Sequence, residues 1–232
     1  MEQRALWPGG PLYAGDPVGG DSLALAYFAG GTAARTGCDL GCGSGILLLL
    51  LCRAAPELRM DGIELRPRAA AMCRANLETN GLAHRCRVFT GDLRDRLLPA
   101  GSVELAVSNP PYFPAGAGAV SPDPDRAMMR TESAALPDLC AAAARLLVPG
   151  GAFCLVHRTE RMEEVFAALR EAGLEPKRRR FFMSRAGKAP ELFLLEARKG
   201  GAPGLVTEPD LIQFGPDGTE TDEYRTITHW EA

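Results

Sequence analysis

Apolar positions along this chain come in short blocks separated by glycine, proline and charged turns, and the blocks alternate between strand-like and helix-like periods. Cys38 to Leu40 predicts a short strand, followed by a glycine loop and a helix from Ser44 to about Ala54. Met60 to Leu65 predicts a second strand. Pro67, a favoured first-turn residue, opens a helix that ends near Asn80-Gly81. Cys86 to Thr90 and Val103 to Ser108 predict the third and fourth strands. Ser133 to Leu147 predicts a helix stopped by Pro149-Gly150-Gly151, then come a strand over Ala152–His157 and a helix over Met162–Ala172. The last two strands, near Arg179–Met183 and Leu192–Ala197, have no helix between them and are predicted to pair antiparallel. Residues 1–20 read as an irregular arm before a short helix that starts at Asp21 or Ser22 and runs to about Ala29. Such alternation predicts an α/β fold with a mainly parallel sheet covered by helices on both faces.

Two segments break the rhythm. Residues 114–131 are rich in Pro, Gly, Ala and Asp without any period, and a loop of that length in a folded domain is functional or disordered; its place directly after a strand end favours a lid or substrate loop. The run Lys177-Arg178-Arg179-Arg180, with Arg185 and Lys188 nearby, reads equally well as a solvated sheet edge and as a patch for the phosphates of an RNA. The tail, with its Pro216-Asp217-Gly218 turn, is compatible with a small hairpin. The expected organisation is a single domain: arm and helix over 1–35, core over 36–198, tail over 199–232.

The strand ends carry the chemistry. After Val103–Val107 the chain presents Ser108-Asn109-Pro110-Pro111-Tyr112-Phe113 at the carboxyl edge of the sheet, where open α/β sheets bind ligands. The two prolines stiffen the turn and have no N–H of their own. An amide oxygen, a backbone carbonyl and a stacking ring suit a planar group bearing –NH2. The first strand ends in Asp39-Leu40-Gly41-Cys42-Gly43-Ser44-Gly45. Counted from Gly41, a dinucleotide fingerprint would place its third small residue at Ile46, which is too bulky. Asp39 suits a cationic amino group better than a pyrophosphate. Glu64, ending the second strand, suits ribose hydroxyls, and Asp92, after the third, suits an adenine amine. An amino acid, a ribose and an adenine in one ligand make S-adenosylmethionine, with Asp39, Gly41, Gly43, Gly45, Glu64, Asp92 and Asn109 as its candidate contacts.

Composition narrows the setting. The chain has 232 residues and a formal net charge of −3, so any nucleic-acid contact must come from a local patch and not from the global field. Seven scattered cysteines show no metal-ligand spacing and read as reduced, mostly buried thiols. The longest apolar run, Ile46 to Cys52, falls far short of the ~20 residues that span a bilayer. A cytoplasmic protein is expected, monomeric or a weak dimer, with no metal and no membrane partner. His84, His157 and His229 have no spacing to a nucleophile or ligand set.

On these residues the sequence resembles the class I S-adenosylmethionine-dependent methyltransferases over roughly Asp21 to Ala197. Asn109-Pro110-Pro111-Tyr112 resembles the motif of the members that methylate exocyclic amines or amides. The narrower resemblance is to the bacterial tRNA (adenine-N6)-methyltransferases that modify a valine tRNA next to the anticodon. It rests on Phe113, Arg130-x-Glu132, Val156-His157-Arg158, Lys177-Arg178 and the tail segment Pro209-Asp210-Leu211-Ile212 with Asp217-Gly218. Thr131 stands where that group often has His, and the arm over Gly9–Gly20 is less aromatic and less basic than usual there.

The resemblance implies a Rossmann-like fold with a mainly parallel seven-stranded sheet and a last antiparallel strand. It implies methyl transfer to adenine N6 in tRNA, with Asn109, Pro110 and Tyr112 as catalytic residues. Pro111, Tyr112, Phe113, Arg130, Glu132, Lys177, Arg178 and Arg180 are the residues expected on the substrate. Tyr112 is also readable as a core-edge aromatic, and Arg130 with Glu132 as an ordinary helix-start ion pair. Rival readings are methylation of guanine N2 in rRNA, methylation of a protein glutamine, and a non-catalytic binder of adenosine or RNA.

Overall fold

The computed structural model describes residues 3–15, 17–31, 33–111 and 136–228. A two-stranded hairpin, β1 (Arg4–Ala5) and β2 (Leu12–Tyr13), precedes helix α1 (Gly20–Gly30). Strands and helices then alternate: β3 (Thr36–Leu40), α2 (Ile46–Ala54), β4 (Arg59–Glu64), α3 (Pro67–Thr79), β5 (Cys86–Thr90) and β6 (Val103–Ser108). Further along come α4 (Leu136–Leu146), β7 (Leu147–Arg158), α5 (Met162–Glu171), β8 (Leu174–Arg185) and β9 (Leu192–Lys199). The tail forms β10 (Val206–Thr207), β11 (Leu211–Phe214) and α6 (Asp222–Thr228).

The sheet runs β10-β8-β9-β7-β6-β3-β4-β5, with β11 also on β8. Only β9 is inverted, pairing antiparallel with both β7 and β8. The expected seven strands are therefore nine among the described residues, because β10 and β11 add in parallel along β8. What hairpin character the tail has is limited to a single bridge, Phe214 to Glu220, around its turn. The arm also departs from expectation, since Arg4 pairs Tyr13 and Ala5 pairs Leu12 in a short hairpin.

Strand β7 starts earlier than the glycine pair suggested. Val103 pairs Leu147 and Leu105 pairs Ala152, so Pro149-Gly150-Gly151 is an irregularity within the strand rather than its boundary. Sheet order reverses at β3, with β4 and β5 on one side and β6 and β7 on the other. That reversal opens a crevice at the carboxyl ends of β3 and β6.

Two apolar cores cover the two faces. One gathers α1, α2, α3 and α6 around Leu25, Leu49, Met60 and Ile227; the other gathers α4 and α5 around Leu139, Phe153, Val165 and Phe193. Helix α2 is apolar on every side, and Leu47 through Cys52 are all buried. A helix of that kind needs cover all round. Here α1 packs against it, and the arm residues Leu6, Trp7 and Tyr13 join the same core. The arm is thus fixed next to the loop that begins α2.

Candidate active site

The parallel register brings the strand-end residues to one edge. Asp39 is level with Gly62 on one side and Val107 on the other, so on strands about 4.8 Å apart Glu64 and Asn109 each sit two residues beyond Asp39 toward the carboxyl edge. Ser108 Oγ donates to Leu40 O at 2.7 Å, locking the end of β6 to that of β3. Asn109 follows at once, and its Nδ2 donates to Ser22 Oγ in the first turn of α1 at 2.9 Å.

The glycine loop curls over the end of β4. Gly41 and Cys42 both donate backbone N–H groups to Ile63 O, at 2.9 and 3.0 Å. The turn places Gly41, Gly43 and Gly45 at φ of 82°, 54° and 89°, a region that side chains disfavour. Gly45 carries a second constraint, because a Cβ there would lie 2.5 Å from Cys73 Sγ on α3. The helix begins at Ile46 rather than Ser44 because Gly43 and Gly45 are at positive φ, outside the helical region, with Gly45 as the N-cap.

Glu64 joins the loop to its surroundings. Its Oε2 accepts the Gly43 N–H at 2.8 Å, while Oε1 accepts Arg66 N and Nε at 3.0 and 2.9 Å. Asp92 is more open and is clamped by Arg94 through both oxygens, at 2.9 and 2.6 Å. That guanidinium holds the Asp92 carboxyl below the usual carboxylate range. Asp39 is the opposite case. It is 1 % exposed, and its Oδ1 has no hydrogen-bond partner among the described residues. Burial, with the Glu64 carboxylate second, pushes its pKa well up. Burial of this kind favours the neutral acid unless a cationic partner is present.

The edge thus unites Asp39, Gly41, Gly43, Gly45, Glu64, Asn109 and Pro110, with Asp92 at the neighbouring β5 end. Pro111 is the last described residue of the turn and is exposed; Tyr112, Phe113, Arg130 and Glu132 lie outside the described residues. The basic run is elsewhere, on β8, which is three strands from β6 and is itself covered by β10 and β11. Lys177 Nζ donates to Ala202 O. Arg178 pairs with Glu196 and Glu208, donates to Phe28 O and lies 3.9 Å over the Phe28 ring. Arg180 is bidentate on Glu223 at 2.8 and 2.6 Å. These bonds hold the tail to the sheet, and any contact of these cations with substrate would come on top of that.

Three further residues shape this edge: Ser22, Asn76 and Arg66. Ser22 reads in the sequence only as a helix-start residue. Asn76 carried a signal, because it falls on the buried stripe Ala69, Ala70, Cys73, Leu77 of α3, where a polar side chain needs partners. Arg66 carried none beyond its nearness to Glu64.

A sheet that reverses at β3, with a glycine turn and buried acids where it reverses, defines a Rossmann-like methyltransferase. The same fold occurs in a predicted O-methyltransferase of Agrobacterium tumefaciens, at a TM-score of 0.71 and 20% identity over 90% of this chain and 95% of that one. The chain belongs to the methyltransferase small domain family, whose model matches residues 20–175. Among its curated relatives, the tRNA1(Val) (adenine(37)-N6)-methyltransferase of Aeromonas hydrophila is 33% identical over 213 residues, 91% of this chain and 88% of that protein. A 4-amino-L-phenylalanine/4-methylamino-L-phenylalanine methyltransferase of Streptomyces pristinaespiralis is 36% identical over 151 residues, 62% of this chain and 50% of that protein.

Proposed function

We propose that this chain transfers a methyl group from S-adenosylmethionine to the exocyclic N6 amine of an adenine in tRNA. The observation that carries the reading is the placement of Asp39 and, two residues further toward the carboxyl edge, Asn109 on neighbouring strands at the sheet's reversal point. The partnerless buried oxygen of Asp39 fits the donor's ammonium group. Glu64 fits the ribose hydroxyls through Oε2, which among the described residues accepts only the Gly43 N–H. Asp92 fits the adenine amine through Oδ2, which accepts only Arg94 Nη2 there, so each of these two oxygens keeps a second lone pair. The extended likeness to tRNA adenine-N6 methyltransferases over nearly the whole chain supports the acceptor.

When bound, the donor supplies an electrophilic methyl carbon on a sulfonium. The chain's own task is to make a poor nucleophile competent. An adenine amine is planar because its lone pair is shared with the ring. Asn109 Oδ1 and the Pro110 carbonyl accept its two N–H groups and favour the tetrahedral nitrogen that attack requires. Acceptors placed in this way are worth about 3–4 kcal/mol each in other enzymes. No strong base is needed, since the amine becomes acidic only once it is methylated. The base must leave its stack first, at a cost of a few kcal/mol that is smaller in a tRNA loop than in a duplex.

The likeness to an arylamine-methylating enzyme favours a second acceptor, a free aromatic amine with the same –NH2 chemistry. Transfer of labelled methyl from S-adenosylmethionine to bulk tRNA, protein, DNA and 4-aminophenylalanine separates these readings. Label in tRNA, mapped by mass spectrometry to N6-methyladenosine, is the expected result. Label in protein or in the free amino acid alone would overturn it.

A further inference from the structure

We infer that Asn76 is a positioning residue that ties the N-terminal arm to the glycine loop and thereby sets the shape of the donor site. The inference rests on the reading of that loop as the S-adenosylmethionine site. Asn76 is wholly buried on α3. Its Nδ2 donates to Ala14 O at 2.8 Å and to Ser44 O at 2.9 Å. Its Oδ1 accepts Ala14 N at 2.9 Å and Gln3 Nε2 at 3.4 Å. Both amide protons and both lone pairs are therefore used, and the partners belong to two separate stretches of chain, the arm (Gln3 and Ala14) and the loop (Ser44).

Ser44 is the residue between Gly43 and Gly45, so the bond reaches the centre of the loop. The same two segments also meet directly. A Cβ on Gly15 would lie 2.8 Å from Ser44 Oγ and 2.6 Å from Tyr13 Oη, so a side chain there would have to displace Ser44 or Tyr13. Packing alone does not explain an amide at this position. Neighbouring stripe residues Ala69, Ala70, Cys73 and Leu77 hold α3 with apolar groups, and an unsatisfied buried amide is costly. What the amide adds is a rigid link between arm and loop.

Asn80, one helical turn on, provides an internal control. It clamps the arm in the same manner, accepting Leu12 N at 3.0 Å and donating to Leu12 O at 2.7 Å; it also donates to Asn76 O at 2.7 Å, but among the described residues no bond joins it to the loop. If Asn76 acts through the loop, the two asparagines differ in their effect on the donor and not merely in their effect on stability.

Calorimetric titration of the full chain with S-adenosylhomocysteine, and kinetics with bulk tRNA, make the test. Asn76→Ala is expected to raise the Kd and the KM for donor about tenfold or more, with kcat at saturating donor within about threefold of the parent. Asn80→Ala is expected to lower the melting temperature while leaving the Kd within about twofold. Parent-like binding by Asn76→Ala, or equal weakening by both variants, would overturn the inference. Failure of the parent protein to bind S-adenosylhomocysteine would instead overturn the donor-site reading. Should Asn76→Ala not fold, hydrogen exchange of the parent decides: ligand-induced protection of the Ala14 amide together with residues 41–45 is expected, and protection of the loop with Ala14 unchanged would overturn it.

Discussion

Asn109 Nδ2 donates to Ser22 Oγ at 2.9 Å across the gap between the end of β6 and the start of α1. An amide side chain has two faces of opposite character, and this bond holds the donor side toward α1. The residue proposed to accept the substrate amine is thus oriented by a serine that is distant in sequence.

Ser22→Ala removes the acceptor for Nδ2 and lets the amide turn. The expected loss is about tenfold in kcat, with KM for S-adenosylmethionine near the parent value. Asn109→Ala removes the amide itself, and its expected loss is on the order of 10²–10³ in kcat with S-adenosylhomocysteine binding intact. Steady-state kinetics with titration of the by-product checks both. Loss of by-product binding in Asn109→Ala would count against its acceptor role.

Asp39 couples donor binding to pH. With its pKa raised by burial and by Glu64, the free protein is more stable below the ordinary carboxylate range, and it loses that contribution as pH rises through the Asp39 pKa in the folded state. A cationic ligand reverses the preference, so donor affinity should fall on acidification through that pKa. Binding there should release a proton, measurable by calorimetry in two buffers of different ionisation enthalpy. Asp39→Asn should melt higher than the parent without ligand, by roughly 1–3 kcal/mol of stability, and lose donor binding.

His157 is 2 % exposed at the end of β7, and its pKa is lowered to about 4, chiefly by burial and then by Arg161. A depressed histidine stabilises the fold above its ordinary pKa of 6.5 and loses that contribution as pH falls toward about 4. Thermal melts between those limits should show the parent losing on the order of 3 kcal/mol from this group. In His157→Gln this pH-dependent part should vanish. A profile equally steep in the variant would refute the attribution.

Arg178 separates tail anchoring from RNA contact. Arg178→Met keeps an unbranched apolar stem but removes the guanidinium that lies over Phe28 and between Glu196 and Glu208. Arg198 still pairs Glu196, so the expected loss is about 1–3 kcal/mol and not the larger cost of stranding a buried charge. The salt dependence of tRNA binding should not change. A slope reduced by about one would instead mark a phosphate contact.

Periodicity was enough for β5 and β6, whose observed bounds coincide with those predicted, because both are short apolar runs closed by strong turn residues. It was also enough for α3, started by Pro67 and ended at Asn80-Gly81. It failed at β7, where Pro149-Gly150-Gly151 looks like a stop. Pairing with β6 on both sides of that stretch carries the strand through, and pairing between distant segments leaves no local mark. The same blindness hid β10 and β11, two short pieces that become strands only because β8 offers them an open edge.

Much of the proposed site was legible residue by residue. Asp39, the three glycines, Glu64, Asp92 and Asn109 all lie at or just past the ends of strands that a parallel sheet must gather, so alternation alone predicts their company. By itself the sequence determined the order of elements and the chemical types at their ends, since propensity and turn chemistry act within a few residues. Only the tertiary structure decided which acid is left without a partner, that Ser22 faces Asn109, that Asn76 joins Ala14 to Ser44, and that the Lys177–Arg180 cations hold the tail. Each of these is a contact between segments far apart in the chain, set by sheet order and burial, and burial fixes which polar groups must find a partner.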